Sequence, residues 1–394
     1  MVLSSPCLHV GWEKVTALRL YQKIVRAARR GKWYNPAMAK KFIVACGGTG
    51  GHSFPGLAVA QELRARGHEV VVWASGRAIE GSVMKSWDGA VFSTGARPLT
   101  LRNVFANMFS LLRCRREMKK FAPDALLAMG SYASLAPVLV ASMRHVPVVL
   151  HEANTVPGRA VDWLARKAKA VAVSFAATGE YLKGRKVVLT GLPVRASIVG
   201  QPRLDEVPQD AFCLFVTGGS QGAHRVNELS VQAMALVQSG LARRMPGKRL
   251  FVIHQTGAAD EEMVRQRYEE MRLPARVNAF ETEMGRAFAT ADMVVARAGA
   301  STCFELARVG KPAFFIPLPS AVRNHQHFNA QAFVQAGAAD EGIQESLAPR
   351  SLANYILHKI EHPEVLAQKA AAMLAMSVPD AAAKVADLME RVTG

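Results

Sequence analysis

Cysteine is scarce in this 394-residue chain, and aromatic residues make up only 7% of it. The five cysteines are scattered and never spaced as Cys-x-x-Cys, which argues against a disulfide framework or a zinc site and is typical of a reducing cytosol. Long apolar runs are also missing, since the longest nearly uncharged one, residues 133–143, is about half the length that spans a bilayer. The first ten residues lack a basic start followed by a long apolar stretch, so no secretory signal is expected.

The composition indicates an intracellular protein of two folded domains. The length exceeds that of one compact core, and 50% apolar with 20% charged residues excludes a disordered chain. The formal net charge of +18 predicts an anionic partner, for which nucleic acid, anionic lipid and phosphorylated substrates are the candidates.

The first 41 residues are strongly basic, with nine Lys or Arg residues against the single acid Glu13. Met38 is followed by Ala39, two lysines and an apolar strand, as a natural start of translation often is. Residues 1–37 are therefore either an upstream artefact or a basic arm, with residues 15–30 as an amphipathic helix on anionic lipid.

A second basic region, residues 97–120, has apolar side chains at helical spacing. These are Leu101, Val104, Phe105, Met108, Leu111 and Leu112, and the flanking basic residues include Arg102, Arg113, Arg115 and Arg116. Two interpretations remain open: an ordinary amphipathic helix packed on the core, or a membrane-contact face with a basic collar. Nucleic acid is disfavoured as a partner, because no aromatic residues are interleaved with these charges for base stacking.

Short apolar runs alternate with helical patterns along the whole chain, which predicts an α/β fold with parallel sheets. The pattern stops at a Pro- and Gly-rich connector, residues 192–210, and then restarts. The predicted strands cover residues 41–46, 70–73, 125–129, 146–150 and 171–174 before the connector, and 212–217, 249–254, 293–296 and 313–317 after it. Two Rossmann-like domains that face each other across a cleft follow from this repeat.

Each half begins with the same design of a buried strand, a glycine-rich turn with a hydroxyl residue, and a helix. The turns are residues 47–51 (Gly-Gly-Thr-Gly-Gly) and 218–222 (Gly-Gly-Ser-Gln-Gly). Such turns expose N–H groups at a positive helix end, where phosphate binds well. Neither is a Walker A loop or a full Gly-x-Gly-x-x-Gly site. Both should face the cleft, because open α/β sheets bind ligands at the carboxyl ends of their strands.

Several polar residues follow predicted strands and are candidates for chemistry. His52 at a helix start suits a neutral general base or simply bonds to backbone. His151-Glu152-Ala153-Asn154 follows a strand, where it binds a sugar, orients a base or forms a solvated loop. Arg195 at the domain junction either reaches phosphate or cross-links the domains.

The segment from Arg297 to Glu305 carries the most candidate groups of the second half. Ala300, Ser301 and Thr302 can present N–H groups and hydroxyls to a phosphate at a helix start. Glu305, expected in the first turn of that helix, can accept hydrogen bonds from ribose hydroxyls or be an ordinary helix-start acid. His325 and His327 invite a metal interpretation, but on a helix they point apart, so sugar or nucleotide hydrogen bonding by Gln326 and Asn329 is favoured.

These motifs occur in the order seen in one family. The segments are residues 47–52 with Pro55, 151–154 with Pro157-Gly158, 218–223 with Asn227, 297–305 and 325–330. From about Lys40 onward the chain resembles the MurG family, the N-acetylglucosaminyltransferases of peptidoglycan synthesis in glycosyltransferase family 28. The resemblance implies a GT-B fold and inverting transfer of GlcNAc from UDP-GlcNAc to the C4 hydroxyl of the muramoyl sugar of undecaprenyl-linked lipid I.

The resemblance also implies roles for individual residues. His52 would be the base and Asn154 a donor-sugar contact. Thr49, Gly50 and Gly51 would lie near the acceptor pyrophosphate, and Glu281 would contact uracil by its backbone. The remaining donor-site residues would be Arg195, Ser220 and Gln221, with Arg297, Ala300, Ser301, Thr302, Glu305, Gln326 and Asn329. No metal or other cofactor is expected, since neither half has an Asp-x-Asp element.

The resemblance further implies a place in the cell. Leu101, Phe105, Met108 and Leu112, with Arg113 and Arg116, would dock on anionic lipid at the cytoplasmic face of the plasma membrane. The enzyme would serve cell-wall growth, cell shape and division, with other cell-wall synthesis proteins as possible partners and no nucleic acid. The expected domains are residues 38–195 for the acceptor and 196–375 for the donor, with residues 376–394 as a helix packing back on the first domain.

The chain also departs from the family pattern. Ala153 replaces a usual Gln, Val161-Asp162 stands where Asn-Arg is common, and Ser131 replaces a glycine. Two other hypotheses therefore remain: a GT-B UDP-sugar transferase with a different lipid acceptor, and a non-catalytic protein that binds nucleotide sugars or nucleic acid.

Overall fold

The computed structural model describes residues 39–48, 50–76, 84, 87–98 and 100–394. The basic arm of residues 1–37, Thr49 and the side chain of Leu101 lie outside these residues. The described strands are β1 (Lys41–Ala45), β2 (Glu69–Ala74), β3 (Val91–Ser93), β4 (Ala125–Ala128), β5 (Val148–Glu152), β6 (Ala170–Val173), β7 (Val187–Leu189), β8 (Phe212–Thr217), β9 (Leu250–Gln255), β10 (Ala275–Asn278), β11 (Met293–Ala296), β12 (Ala313–Phe315) and β13 (Ala339–Glu341).

The helices lie between these strands, on both faces of two sheets. They are α1 (Gly50–Ala65), α2 (Val104–Phe121), α3 (Leu135–Met143), α4 (Arg159–Leu164), α5 (Thr178–Tyr181), α6 (His224–Arg244), α7 (Glu261–Glu270), α8 (Met284–Thr290), α9 (Ala300–Val309), α10 (His325–Gln335), α11 (Pro349–Glu361), α12 (Pro363–Ala375) and α13 (Ala381–Arg391).

The strands form two wholly parallel sheets, one in each half of the chain. The orders are β3-β2-β1-β4-β5-β6-β7 and β10-β9-β8-β11-β12-β13. The strand order reverses between β1 and β4 in the first sheet and between β8 and β11 in the second. At such a switch point the loops that follow the two strands run in opposite directions and leave a crevice where a ligand can bind. The predicted pair of Rossmann-like sheets is therefore confirmed, and both glycine turns follow a strand at a switch point.

The central strands are buried on both faces, which explains why they are continuous apolar runs in the sequence. Phe42, Ile43 and Val44 of β1 are fully buried. The predicted and observed bounds of these central strands differ by at most two residues at either end. The edge strands β3, β7, β10 and β13 were not predicted, because each is only three or four residues long and largely half-exposed or exposed.

The chain crosses between the domains twice and ends on the first one. Helix α13 buries Val385 and Met389 in the same apolar cluster as Phe42 of β1. The first crossing includes Gly191 and the second includes Val378, and the two touch. Gly191 has a φ of +75°, and a Cβ on it would lie 2.5 Å from the Cβ of Val378. A larger residue at this position would push the crossings apart.

Helix α2 packs Cys114 and Met118 on the core, with Leu111 partly buried against it, but leaves its other large apolar residues near the N-terminal end exposed. Its buried side carries Ser110, Cys114 and Met118. Phe105 is 71% exposed, and Met108 and Leu112 are each more than half exposed. We call the exposed residues Val104, Phe105, Met108, Phe109 and Leu112 the α2 apolar face. Arg113 and Arg116 are exposed beside it. Within the part of the chain that the structure describes, no helix is both long and apolar enough to cross a bilayer.

Candidate active site

A cleft of about 370 Å³ lies between the two domains, at the carboxyl ends of both sheets. The start of α1, in the first domain, and the start of α9, in the second, meet across this cleft. The hydroxyl of Ser301 in α9 donates to the carbonyl of Gly51 in α1 at 3.3 Å. The N–H groups in the first turn of a helix have no acceptor within that helix, and the helix dipole adds positive potential there. Two such ends in one cleft give it a positive potential, which favours an anion with several charges.

The first turn leads directly into α1. Gly48 has a φ of +106°, a conformation that side chains rarely adopt, and α1 begins at Gly50. Gly50, Gly51 and His52 line the cleft from this side. The turn therefore places backbone N–H groups and one imidazole at the same point.

His52 is held in a defined orientation by the end of the neighbouring strand β4. Its Nδ1 lies 2.8 Å from the carbonyl oxygen of Met129, so Nδ1 carries the proton and Nε2 is left as a base. Burial lowers the pKa of His52, the bond to Met129 opposes this, and the nearby His325 lowers it further. A neutral imidazole with a basic Nε2 is the form that accepts a proton from an attacking hydroxyl.

The second turn cannot be built without glycine. A Cβ on Gly222 would lie 2.0 Å from the carbonyl oxygen of Thr256, and Gly219 has a φ of +88°. The turn brings the exposed residues Ser220 and Gln221 to the cleft wall. Gln255 at the end of β9 supports it by donating from Nε2 to the carbonyl of Gly219 at 2.7 Å.

Helix α9 begins at the cleft with Ala300, Ser301 and Thr302 in its first turn. Its N-cap residue is Gly299, which has no side chain to accept a hydrogen bond from the first N–H groups of the helix. These N–H groups therefore remain available at the cleft. Glu305 is the sixth residue of α9 and lies in the second turn, so the expectation of a first-turn position is wrong. Its side chain nevertheless lines the cleft.

Arg195 and Glu305 form an ion pair at the edge of the cleft. Arg195 Nε donates to Glu305 Oε1 at 2.9 Å, and its guanidinium lies over the ring of Phe54 at 4.1 Å. Burial raises the pKa of Glu305, and Arg195 opposes this shift. Among the described residues no further partner of the Arg195 guanidinium is found, so its outer N–H groups remain for an anion.

His151 and Glu152 are part of strand β5 rather than of a loop after it, and both are buried. His151 donates to the carbonyl of Gly191 at 3.2 Å, and burial lowers its pKa to about 4. The carboxylate of Glu152 accepts from the N–H groups of Asn154 and Gly158 at 2.8 and 2.9 Å. These two residues therefore shape the loop that carries Asn154, which does line the cleft.

Asn329 is fully buried and is not among the cleft-lining residues. Its Oδ1 accepts from the N–H of Thr155 at 2.9 Å, and its Nδ2 donates to Asn154 Oδ1 and to the carbonyl of Ala298, both at 3.1 Å. The Asn329 amide is thus bonded to protein groups and does not face the cleft. It is a bridge between the domains that also orients Asn154.

The Asn329 bridge has a testable consequence for stability. Asn329→Ala leaves two buried backbone groups, the N–H of Thr155 and the carbonyl of Ala298, without this partner, each costing about 1–3 kcal/mol unless water replaces the amide. We expect the Tm to fall by about 2–10 °C in thermal unfolding. Gln335→Ala, at an exposed position at the end of the same helix, is the matched control and should leave the Tm within about 1 °C. Equal Tm values for the two variants would contradict the bridging role.

Arg297 and Glu281 also use their side chains within the protein. Arg297 Nη1 donates to the carbonyls of Ile316 and Pro317 at 3.0 and 2.9 Å, and its Nη2 donates to Gln344. The buried carboxylate of Glu281 is held by Arg276 at 2.9 Å, and its own N–H donates to Gln255. Arg297 lines the cleft and Glu281 does not, and the N–H of Glu281 already has Gln255 as its acceptor.

Two aromatic cleft residues were not assigned a role from the sequence. Phe280, next to Glu281, is 46% exposed and lines the cleft, as does Phe54. Phe280 offers a flat apolar surface of the kind that packs on a nucleobase. Gln326 lines the cleft as predicted, with its Oε1 accepting from the N–H of Leu318 at 2.9 Å.

The two nearby histidines on α10 do not converge. His325 lines the cleft, whereas His327 is bonded through Nδ1 to Glu341 at 2.7 Å. No group of three or more His, Cys, Asp or Glu side chains within the described ranges is arranged to hold a metal ion.

Comparison with known proteins follows the same division into two domains. The profile of the Glycosyltransferase family 28 N-terminal domain matches residues 42–173, and that of the C-terminal domain matches residues 213–391. A Geobacter metallireducens protein named UDP-N-acetylglucosamine--N-acetylmuramyl-(pentapeptide) pyrophosphoryl-undecaprenol N-acetylglucosamine transferase is 35% identical over 361 residues, 89% of this chain and 98% of that protein. A Brucella abortus protein of the same name is 35% identical over 359 residues, 89% of this chain and 93% of that protein.

A solved structure agrees with these sequence relatives. The crystal structure of Acinetobacter baumannii MurG has a TM-score of 0.70 to this chain at 28% identity, covering 90% of this chain and 99% of that one. The profile matches, the relatives and the fold together show that this chain belongs to glycosyltransferase family 28.

Proposed function

We infer that this chain transfers GlcNAc from UDP-GlcNAc to the C4 hydroxyl of the muramoyl sugar of undecaprenyl-pyrophosphoryl-N-acetylmuramoyl-pentapeptide, giving lipid II and UDP. One observation carries the inference: two helix starts from separate domains meet in a cleft that also holds a neutral histidine. The relatives named for this transfer match nearly the whole chain at about 35% identity and support the choice of substrates. The product serves cell-wall growth, and through it cell shape and division.

The donor would lie mainly on the second domain. The N–H groups at the start of α9, the turn at Ser220 and the outer N–H groups of Arg195 would bind the diphosphate. Glu305 would accept from the ribose hydroxyls with the oxygen that Arg195 does not use, and Phe280 would pack on the uracil. Gln326 and Asn154 would contact the GlcNAc. These positive groups balance the diphosphate charge, so we propose that activity persists in EDTA.

The reaction needs a base on the acceptor side and charge stabilisation on the donor side. His52 Nε2 would take the proton of the C4 hydroxyl as this oxygen attacks the anomeric carbon, and the bond to UDP breaks on the opposite face. Configuration is thereby inverted. The N–H groups at the start of α9 and Arg195 would stabilise the charge that develops on the leaving diphosphate. Such electrostatic stabilisation is usually the largest single contribution to catalysis.

The test of this function is a product assay with purified protein. UDP-GlcNAc is incubated with and without a short-chain lipid I analogue, and UDP and disaccharide are quantified. We expect UDP and disaccharide in equal amounts only when the acceptor is present. Transfer to another lipid alcohol but not to the muramoyl acceptor would assign a different GT-B activity, and UDP-GlcNAc binding without turnover would assign a binding protein.

The α2 apolar face is well suited to a membrane surface. Phe105 and Leu112 are exposed, and Arg113 and Arg116 lie beside them, the combination that binds anionic bilayers. We propose that this face docks on the cytoplasmic leaflet of the plasma membrane, where the acceptor resides.

Membrane docking predicts a loss of vesicle binding when the face is made polar. Phe105→Ser with Leu112→Ser removes two large apolar side chains, each worth about 1.5–3 kcal/mol when buried. Partitioning into phosphatidylglycerol-containing vesicles, measured by sedimentation, should fall by at least about tenfold. Leu374→Ser, at a 53% exposed position on the second domain, is the control and should partition like the parent protein. Unaltered partitioning of the double variant would exclude this docking face.

A further inference from the structure

A second cavity, of about 400 Å³, lies in the first domain outside the cleft. It opens to the surface and is lined by Leu111 of α2, Leu135 and Leu139 of α3, Trp163 of α4, Ala96 and Tyr132. Nearly all of these groups are apolar. Asn107 is also in the wall, but its Oδ1 accepts from the N–H of Arg97 at 2.9 Å. A hydrophobic ligand is the occupant that such a wall favours, and the volume is typical of ligand sites, about 300–1,000 Å³.

The inner end of this cavity touches the first glycine turn. A Cβ placed on Gly48 would lie 3.5 Å from Cε1 of Tyr132, so the ring that forms the cavity wall lies against the turn. Ser131 fixes this contact by donating from its hydroxyl to the carbonyl of Gly47 at 2.8 Å. The ring of Tyr132 therefore separates the turn from the cavity by the width of one side chain.

The outer end of the cavity reaches the α2 apolar face. Leu111 in the wall neighbours the exposed Met108, which lies three residues before it on α2. Trp163 is 51% exposed. The cavity thus joins a turn suited to phosphate with an apolar surface suited to lipid.

We propose that this cavity binds the first prenyl units of the acceptor's polyprenyl chain. The proposal rests on the proposed function, in which the acceptor carries a pyrophosphate bonded directly to that chain. With the pyrophosphate at the first glycine turn, the chain must leave from that point, and the cavity beside Tyr132 gives it an apolar path to the bilayer. The cavity would fix the position of the muramoyl sugar relative to His52 and favour prenyl pyrophosphates over other pyrophosphates.

The test compares two acceptors in detergent at saturating UDP-GlcNAc. Both are pyrophosphoryl-muramoyl-pentapeptides, one with a few prenyl units and one with an ethyl group. Because each buried methylene changes affinity about fourfold, we expect the prenyl acceptor to have a KM at least about tenfold lower. Leu139→Trp, which fills the cavity, should raise the KM for the prenyl acceptor about tenfold. It should leave kcat and the KM values for the ethyl acceptor and UDP-GlcNAc unchanged.

Two controls separate the cavity from general effects. Met143→Trp adds the same side chain at a 59% exposed position on the same helix, and both acceptors should keep their KM values. An unchanged KM for UDP-GlcNAc shows that Leu139→Trp is folded. If Leu139→Trp is not folded, Leu135→Gln, at another position of the cavity wall, is used instead. It should likewise raise only the KM for the prenyl acceptor. Equal KM values for the two acceptors in the parent protein, or equal shifts in the filled variant, would overturn the proposal.

A cross-linking measurement tests the cavity without turnover. A prenyl pyrophosphate that carries a diazirine on its first unit should label Leu111, Leu139 or Trp163. Labelling confined to Phe105 and Leu112 would assign the chain to the membrane surface and overturn the proposal. Absence of transfer to either acceptor, together with labelling of the cavity, would instead reject the proposed function and retain a prenyl-binding site.

Discussion

Replacement of His52 by alanine lowers kcat by about 10²–10⁴-fold, the usual contribution of a general base, and changes the KM for UDP-GlcNAc little. The reason is geometric: Nδ1 is bound to Met129 at 2.8 Å, which leaves Nε2 as the basic atom in the cleft. Steady-state kinetics at varied UDP-GlcNAc and saturating acceptor measure both constants. His325→Gln is the matched control because it alters the other imidazole of the cleft, and it should retain kcat within about tenfold.

The pH dependence of kcat gives a second measure of the same residue. The base works only when it is neutral, so kcat falls as the pH drops through the pKa of His52. Burial lowers that pKa, and the acidic limb should therefore have its midpoint below the ordinary value of about 6.5. In His52→Ala this limb should be lost. A fully active alanine variant, or an acidic limb that persists in it, would exclude His52 as the base.

Replacement of Glu305 by alanine raises the KM for UDP-GlcNAc by about 10–100-fold. The change removes the acceptor for the ribose hydroxyls and also releases Arg195, which Glu305 holds at 2.9 Å. Each lost charge-assisted hydrogen bond costs about 1.5–3 kcal/mol, and that range gives the expected factor. Initial rates at varied UDP-GlcNAc measure it, and an unchanged KM would show that Glu305 does not bind the donor.

Inhibition by uridine and by UDP separates the two effects of this change. Uridine has the ribose but no diphosphate, so Glu305→Ala should weaken both inhibitors. Arg195→Ala should weaken UDP and spare uridine. If the pair acts as a unit, the double variant loses less than the sum of the two single losses. Weakening of UDP alone in both single variants would assign Glu305 to the positioning of Arg195.

The sequence was most informative where backbone geometry decides the outcome. Buried parallel strands must be apolar on both faces, so the central strands β1, β4 and β8 were visible as apolar runs. Gly222 marks a turn where a Cβ would meet Thr256, and such turns can be recognised by their glycines. Because the carboxyl ends of parallel strands meet at one edge, the residues after them could be assigned to one cleft.

The sequence could not show how polar side chains are used within the folded protein. Asn329 was expected to contact the sugar, but in the structure it binds Thr155 and Asn154 across the domain interface. The carboxylate of Glu281 likewise accepts a hydrogen bond from Arg276 within the second domain. These partners are distant in the chain or lie on neighbouring turns, and no local pattern identifies them. Phe280 was not assigned a role in the site, because a single exposed aromatic residue has no sequence signature.

The central claim is that the start of α9 binds the donor diphosphate while the start of α1, on the other domain, presents His52 to the same cleft. A crystal structure with UDP-GlcNAc bound tests this claim most directly. It should show the uracil at Phe280, the diphosphate between Ser220 and the start of α9, and the anomeric carbon turned towards His52. A nucleotide bound outside this cleft, or a sugar that points away from His52, would contradict the account.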